Sequence, residues 1–264
     1  MTDDSPLLSI RELTTHFITY RGVVKAVEDV SYDVRAGQVV GVVGETGSGK
    51  TVTVMSVLRL IKPPGKIMGG QVWFKGEDVL ALPESEVRKR IRGRGISMIF
   101  QKPMSSLNPV FSVGRQVTDV IRLHFKCSKQ EARDRALANL ADVALPDPAE
   151  VLLKYPHELS GGMQQRVMIA MALACGSSLL IADEPTTALD VSVQLQIMKL
   201  IDSIRHKTGL SVLLISHDLG LIASICDRIN VMYAGHLFES GSTEDIVGRP
   251  LHPYSKKLIG SVPD

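Results

Sequence analysis

Residues 39–43, VVGVV, run directly into GETGSGKT at 44–51 and then into the apolar helical pattern TVTVMSVLRLI. A short apolar strand, a glycine-rich turn and a helix in that order confine the chain to an α/β arrangement built around a phosphate-binding loop. Gly44, Gly47 and Gly49 allow the tight turn. The backbone of Glu45, Thr46 and Ser48 can then cradle phosphates at the positive end of the following helix. Lys50 can set its ammonium between β- and γ-phosphates, and Thr51 can place its hydroxyl on Mg²⁺.

Three further segments follow in a fixed order: LSGGMQQR at 159–166, LLIADEP at 179–185 and SHD at 216–218. In LLIAD, four apolar residues predict a strand buried on both faces that delivers Asp183 to the carboxyl edge of a sheet, as a Mg²⁺ ligand through water. Strand alternation turns Glu184 away from Asp183, towards a water able to attack a γ-phosphate, which makes it the general base or water-positioner. SVLLIS predicts another such strand, and His217 beyond it can reach the γ-phosphate or the attacking water. A lone histidine after a strand is more often structural, but its company here argues otherwise. Ser160 predicts a helix N-cap, and with two glycines behind it the helix start forms a second anion site.

The rest of the composition removes alternatives. A net charge of +2 gives no nucleic-acid or acidic-substrate signal. The N-terminus MTDDSPLL lacks a basic stretch followed by an apolar one, so no secretory signal is expected and the chain should stay in the cytoplasm. Residues 167–182 carry no charge. They are too few and too interrupted by Gly176-Ser177-Ser178 for the span of about 20 that a membrane helix needs, so any membrane role must come through a partner. Cys127, Cys175 and Cys226 are scattered and odd in number, which suits reduced thiols rather than a disulfide framework or metal cluster.

With 264 residues the chain suits one α/β domain with a subdomain. Strands are expected through 7–43 with a turn at Arg21-Gly22, a helix over 50–61, a strand pair closing on Lys75-Gly76, a helix over 84–92 and a strand ending at Gln101. Residues 113–155 are helical, with Val117, Val120, Ile121 and Leu123 on one apolar face and Ala136, Leu137, Leu140 and Val143 on another. Strand and helix then alternate, which argues for parallel strands joined by crossover helices.

Taken with LSGGMQQR, these motifs resemble the nucleotide-binding subunit of an ABC transporter over nearly the whole length. The resemblance implies a P-loop NTPase fold of ABC type, with a RecA-like core, an antiparallel β subdomain and an α-helical subdomain. It makes the chain a single cassette: about 1–112 and 156–264 as the ATPase core with its β subdomain, and about 113–155 as the helical subdomain. It implies ATP hydrolysis with ATP and Mg²⁺, and a signature whose Ser160, Gly161, Gly162 and Gln164 contact ATP held by a second subunit. Gln101 matches the Q-loop glutamine, a Mg²⁺ contact linked to the membrane subunits, and Ala188-Leu189-Asp190 matches the D-loop at the dimer seam. In Leu13-Thr14-Thr15-His16-Phe17, Phe17 matches the adenine-stacking aromatic, with Tyr20 in reserve.

FQKPMSSLNPVFSVGRQ, DEPTTALDVSVQLQI, HDLGLIASICDRINVMYAGHLFESG and RPLHPYSKKLIGSVPD are similar to the dipeptide, oligopeptide and nickel importer branch, although Lys102 departs from the acidic or amide residue usual there. Longer members run past the HPY segment into a cysteine-bearing extension, and this sequence stops at Asp264 before those cysteines, either naturally or because the chain was cut. The implied partners are a second ATPase subunit, either a paralogue or another copy, two membrane permeases and, through them, an extracytoplasmic binding protein; no nucleic acid is implied. The implied location is the cytoplasmic face of the cell membrane. Met104, Leu107, Val110 and Phe111 put apolar side chains into a loop, as a surface receiving a permease helix would. The alternatives are a nickel or other small-solute importer and a soluble ABC protein of repair or translation. No heptad insertion supports the latter.

Overall fold

The computed structural model describes residues 5–100, 106–187 and 189–260. The chain up to Val87 and from Ser211 onward makes one compact unit, and Arg88–Leu210 makes a second.

The first unit opens with β1 (Leu8–Thr19) and β2 (Gly22–Val34), a long antiparallel hairpin turning at Tyr20-Arg21. Then come β3 (Val39–Val43), the helix α1 (Lys50–Val57), β4 (Gly65–Phe74) and the two-residue β5 (Glu77–Asp78). An antiparallel sheet in the order β2-β1-β4-β5 results. Leu8, Ile10 and Leu13 of β1 are fully buried with Val27, Val30 and Val34 of β2. The Lys75-Gly76 turn forms as the sequence predicts, both residues having positive φ, at 51° and 80°.

Helix α1 stops four residues before the expected end. Arg59 adopts φ 52°, and its guanidinium donates to the carbonyls of Val79 and Leu82 and pairs with Glu84, so tertiary contacts outbid helix propensity there. The expected helix over 84–92 is a single turn, Glu84–Glu86, followed by a π-helical stretch, Val87–Ile91.

In the second unit, β6 (Ile96–Ile99) pairs in parallel with β7 (Leu179–Asp183). Between them lie α2 (Val113–His124), α3 (Lys129–Asp142), the short α4 (Pro148–Val151) and α5 (Gly161–Leu173), and α6 (Val191–Thr208) follows β7. Ser112 caps α2, and Ser128 with Glu131 forms a reciprocal capping box on α3. Val117 and Ile121 are buried as the periodicity requires, whereas Leu123, in the last turn of α2, is 80% exposed.

The chain then completes the first unit with β8 (Ser211–Ser216), α7 (Leu219–Ala223), β9 (Arg228–Tyr233), β10 (His236–Ser242), α8 (Thr243–Gly248) and α9 (Pro253–Ile259). There β3 lies between β8 and β9, parallel to both, and β10 runs antiparallel to β9. All five residues of β3 and all six of β8 are buried, the expected mark of parallel strands covered on both faces. The three cysteines are free, with Cys175 and Cys226 buried.

Candidate functional site

The first unit carries the phosphate loop. Its crest, Glu45-Thr46-Gly47, is exposed, while Ser48, Gly49 and Lys50 beneath it are buried. Gly44 has φ 153°, and a Cβ there would stand 2.0 Å from the Met232 carbonyl oxygen; at Gly49, with φ 103°, it would stand 2.5 Å from that of Ala26. Only glycine meets both the conformation and the crowding. The loop is thus pressed onto β2 and β9, and Gly235 N–H donates to the Ser48 carbonyl at 3.0 Å.

Within this ring, Lys50 is 5% exposed. Its Nζ donates to the carbonyls of Gly44 at 2.6 Å and Glu45 at 2.9 Å and to Ser48 Oγ at 3.3 Å. Gly49 occupies the N-cap of α1 and contributes no side-chain cap. A buried ammonium at the positive end of a helix is the donor set that suits a phosphate. Thr51 is exposed in the first turn of α1. Ser216, the last residue of β8, is in register with Val43, so His217 stands just beyond the same sheet edge as Gly44. Phe17 is half-buried in β1, opposite Gly65, where any Cβ would come 2.8 Å from its ring. Tyr20 is 90% exposed, with the Arg21 guanidinium 5.2 Å over its ring.

The second unit carries the other residues. Asp183 ends β7 at 2% exposure, and every residue of that strand is buried, as LLIAD predicts. Glu184 is not directed by strand alternation, because the strand stops at Asp183 and Glu184 takes a left-handed φ of 46°. Its carboxylate accepts a 2.9 Å hydrogen bond from Thr187 Oγ1, a partner that nothing in the sequence singled out. Gln101, expected on Mg²⁺, lies outside the described residues, as do Lys102, Met104 and Ala188. Leu107 is 2% exposed and belongs to the core rather than to a receiving surface; of the other apolar residues expected there and described, Val110 is 73% exposed and Phe111 is half-buried.

Ser160 caps α5 as its position predicts, its Oγ accepting Met163 N–H at 3.3 Å. Gln164 departs from the outward role expected of it. It is 6% exposed, and its amide donates to the carbonyls of Pro156 at 2.8 Å and Leu159 at 3.2 Å, so it braces the loop that enters the helix. A Cβ on Gly161 would touch Leu189 at 3.4 Å and one on Gly162 would press Val193 at 3.0 Å. The first distance is ordinary contact, so Gly162 is the tight position, where Val193 of α6 packs against the helix start. Between them is a cleft of about 410 Å³ lined by Ser160, Gly161, Gly162, Met163, Asp190 and Val193. Asp190 is exposed at the N-cap of α6 without a side-chain cap bond.

The model of the ABC transporter family matches residues 27–187. A probable peptide ABC transporter ATP-binding protein of Sinorhizobium fredii is 50% identical over 259 residues, covering 98% of this chain and 77% of the relative. The dipeptide transport ATP-binding protein DppD of Bacillus subtilis is 50% identical over 258 residues, covering 97% and 77%. Among solved structures, the ATP-binding cassette MJ0796, a dimer in a post-hydrolysis state bound to ADP and phosphate, superposes with a TM-score of 0.79 at 27% identity, over 89% of this chain and 98% of that one. With the phosphate loop, the capped LSGGMQQR helix and the buried LLIAD strand in place, the chain belongs to the ABC transporter family, as an ATP-binding subunit that hydrolyses ATP.

Proposed function

We propose that the chain is the ATPase subunit of a peptide importer, a single cassette across its length with its helical part at about 113–155. It clamps with a second nucleotide-binding subunit on ATP and drives two permeases as it opens after hydrolysis. The observation that carries the reading is Lys50, an ammonium buried inside a glycine loop at an uncapped helix start. Lys50 and the loop backbone of residues 44–49 hold the phosphates, His217 attends the γ-phosphate, and Phe17 stacks on adenine. By the family resemblance Thr51, Asp183 and Gln101 would hold Mg²⁺, which would supply neutralisation of phosphate charge when bound. Glu184 takes the proton of the attacking water as its oxygen bonds to the γ-phosphorus and the bond to ADP breaks.

Ser160, Gly161 and Gly162 serve the nucleotide of the partner subunit, with Asp190 at the seam. Each chain would then offer one phosphate loop and one signature helix to different nucleotides. The names of the relatives support peptides as cargo. Among the described residues no helix is long and apolar enough to cross a membrane; the place on permeases at the cytoplasmic face is the one that the resemblance to the importer branch implies.

The test is uptake by the assembled complex of labelled dipeptide, oligopeptide or nickel, with sedimentation of Glu184→Gln in Mg-ATP, alone and with its paralogue. Peptide uptake and an ATP-dependent dimer are expected. Nickel uptake without peptide uptake would overturn the cargo, and no dimer in either mixture would overturn the clamp.

A further inference from the structure

The start of α9 is fixed more firmly than a surface helix requires. His252 is its N-cap, with Nδ1 accepting the Tyr254 N–H at 3.1 Å, and Pro253 presets the first turn. The Glu239 carboxylate accepts the N–H groups of Leu251 at 2.7 Å and His252 at 3.0 Å. Rings lock the same place: Tyr254 lies 4.6 Å from Tyr233, and His252 lies 4.6 Å from Phe238. These contacts aim one atom at the phosphate loop, because Tyr254 Oη accepts the N–H of Glu45 at 3.1 Å.

Glu45 is then held from both sides. Its N–H goes to Tyr254, while its carbonyl accepts Lys50 Nζ at 2.9 Å and Ser48 N–H at 3.1 Å. Glu45 is exposed, so water could satisfy that N–H equally well. What the phenol adds is position rather than bulk stability. Burial raises the phenol's pKa, so at neutral pH its oxygen stays uncharged and imposes no negative charge beside the phosphates.

We infer that Tyr254 is a positioning residue for nucleotide binding: its hydroxyl pins the first peptide of the phosphate loop and so fixes the carbonyl that orients Lys50. The inference rests on residues 44–51 being the ATP site. It makes the 251–254 segment part of the nucleotide site's supporting shell.

The experiment compares Tyr254→Phe, Tyr254→Ala and Lys50→Ala with the unaltered chain, by calorimetric titration of Mg-ATP, melting temperature and steady-state ATPase in the assembled complex. Tyr254→Phe keeps the ring on Tyr233 and removes only the acceptor. It is expected to weaken Mg-ATP binding about 3- to 10-fold, the scale of one lost hydrogen bond, with its melting temperature unmoved. The deficit should lie in KM and disappear at saturating ATP. Tyr254→Ala should show the same deficit and a lower melting temperature as well. Wild-type affinity in Tyr254→Phe beside lost binding in Lys50→Ala overturns the role of Tyr254 alone, as does a loss of affinity that only tracks a falling melting temperature. Undiminished binding in Lys50→Ala overturns the ATP-site reading itself, and this proposal with it.

Discussion

Replacing Glu184 with glutamine tests the chemistry most sharply, because the local structure should survive it. Glu184 sits in left-handed backbone at φ 46°, a conformation that costs a non-glycine residue about 1–2 kcal/mol. Its carboxylate is oriented by Thr187 Oγ1 at 2.9 Å. The glutamine carbonyl oxygen can accept that same bond, so the backbone and the aim of the side chain are kept and only the proton-accepting charge is lost. A positioned general base is worth roughly 10²- to 10⁴-fold, or about 2.7–5.4 kcal/mol of barrier. Phosphate release at saturating Mg-ATP should therefore fall at least about 100-fold, while Mg-ATP affinity by filter binding stays within about threefold. Thr187→Val removes that one bond without discharging the carboxylate and should cost roughly 10- to 150-fold in kcat, the range of about 1.5–3 kcal/mol for one hydrogen bond to a charged group. Turnover in Glu184→Gln within a few-fold of wild type would refute the assignment.

The remaining expectations concern packing, capping and acid. Leu107→Ala removes a side chain at 2% exposure and should destabilise the fold by about 2–5 kcal/mol in denaturant titration. Val110→Asp, at a residue 73% exposed, should leave stability within about 0.5 kcal/mol but lower uptake if this segment meets the permease. Ser160→Ala deletes the cap on Met163 N–H, costing about 1 kcal/mol in thermal unfolding, and should weaken Mg-ATP-driven dimerisation by sedimentation. At Glu239 burial raises the carboxyl pKa, but accepted hydrogen bonds, those of Leu251 and His252 among them, outweigh it and hold it below 4.5. Its contribution is therefore complete above that value and is lost as pH falls through the depressed folded pKa. Acid should loosen the start of α9 in hydrogen exchange, and Glu239→Gln should abolish that dependence.

Much of this was legible because it rests on local rules. VVGVV, LLIAD and SVLLIS are apolar throughout, and a strand covered on both faces has no other economical composition. Ser160 announced a helix start through its hydroxyl. What stayed hidden depends on partners far along the chain. Arg59 ends α1 by reaching carbonyls near Leu82, which no window around residue 59 contains. Leu107 reads as an exposed loop residue until the core that swallows it is present, and Gln164 as a ligand contact until the carbonyls of Pro156 and Leu159 claim its amide. Thr187 and Tyr254 carry no motif for their roles. The nearest signal for Tyr254 is the His252-Pro253 helix start, which locates α9 but does not say where its phenol points.

The bracing of the phosphate loop also bears on how the protein is made. Glu45 and the tyrosine that holds it are 209 positions apart, and β3, which launches the loop, needs β8 and β9 on its two sides. At ribosomal rates of about 5–20 residues per second, the loop emerges roughly 10–40 s before its supports exist. During that interval the nascent chain carries an apolar strand with both edges open. Cooperative pairing across so long a sequence separation is slow to nucleate. Support for the phosphate loop therefore waits on β8, β9 and Tyr254, and a chain stopped before Arg228 carries the GETGSGKT motif without the strand that flanks β3 on one side.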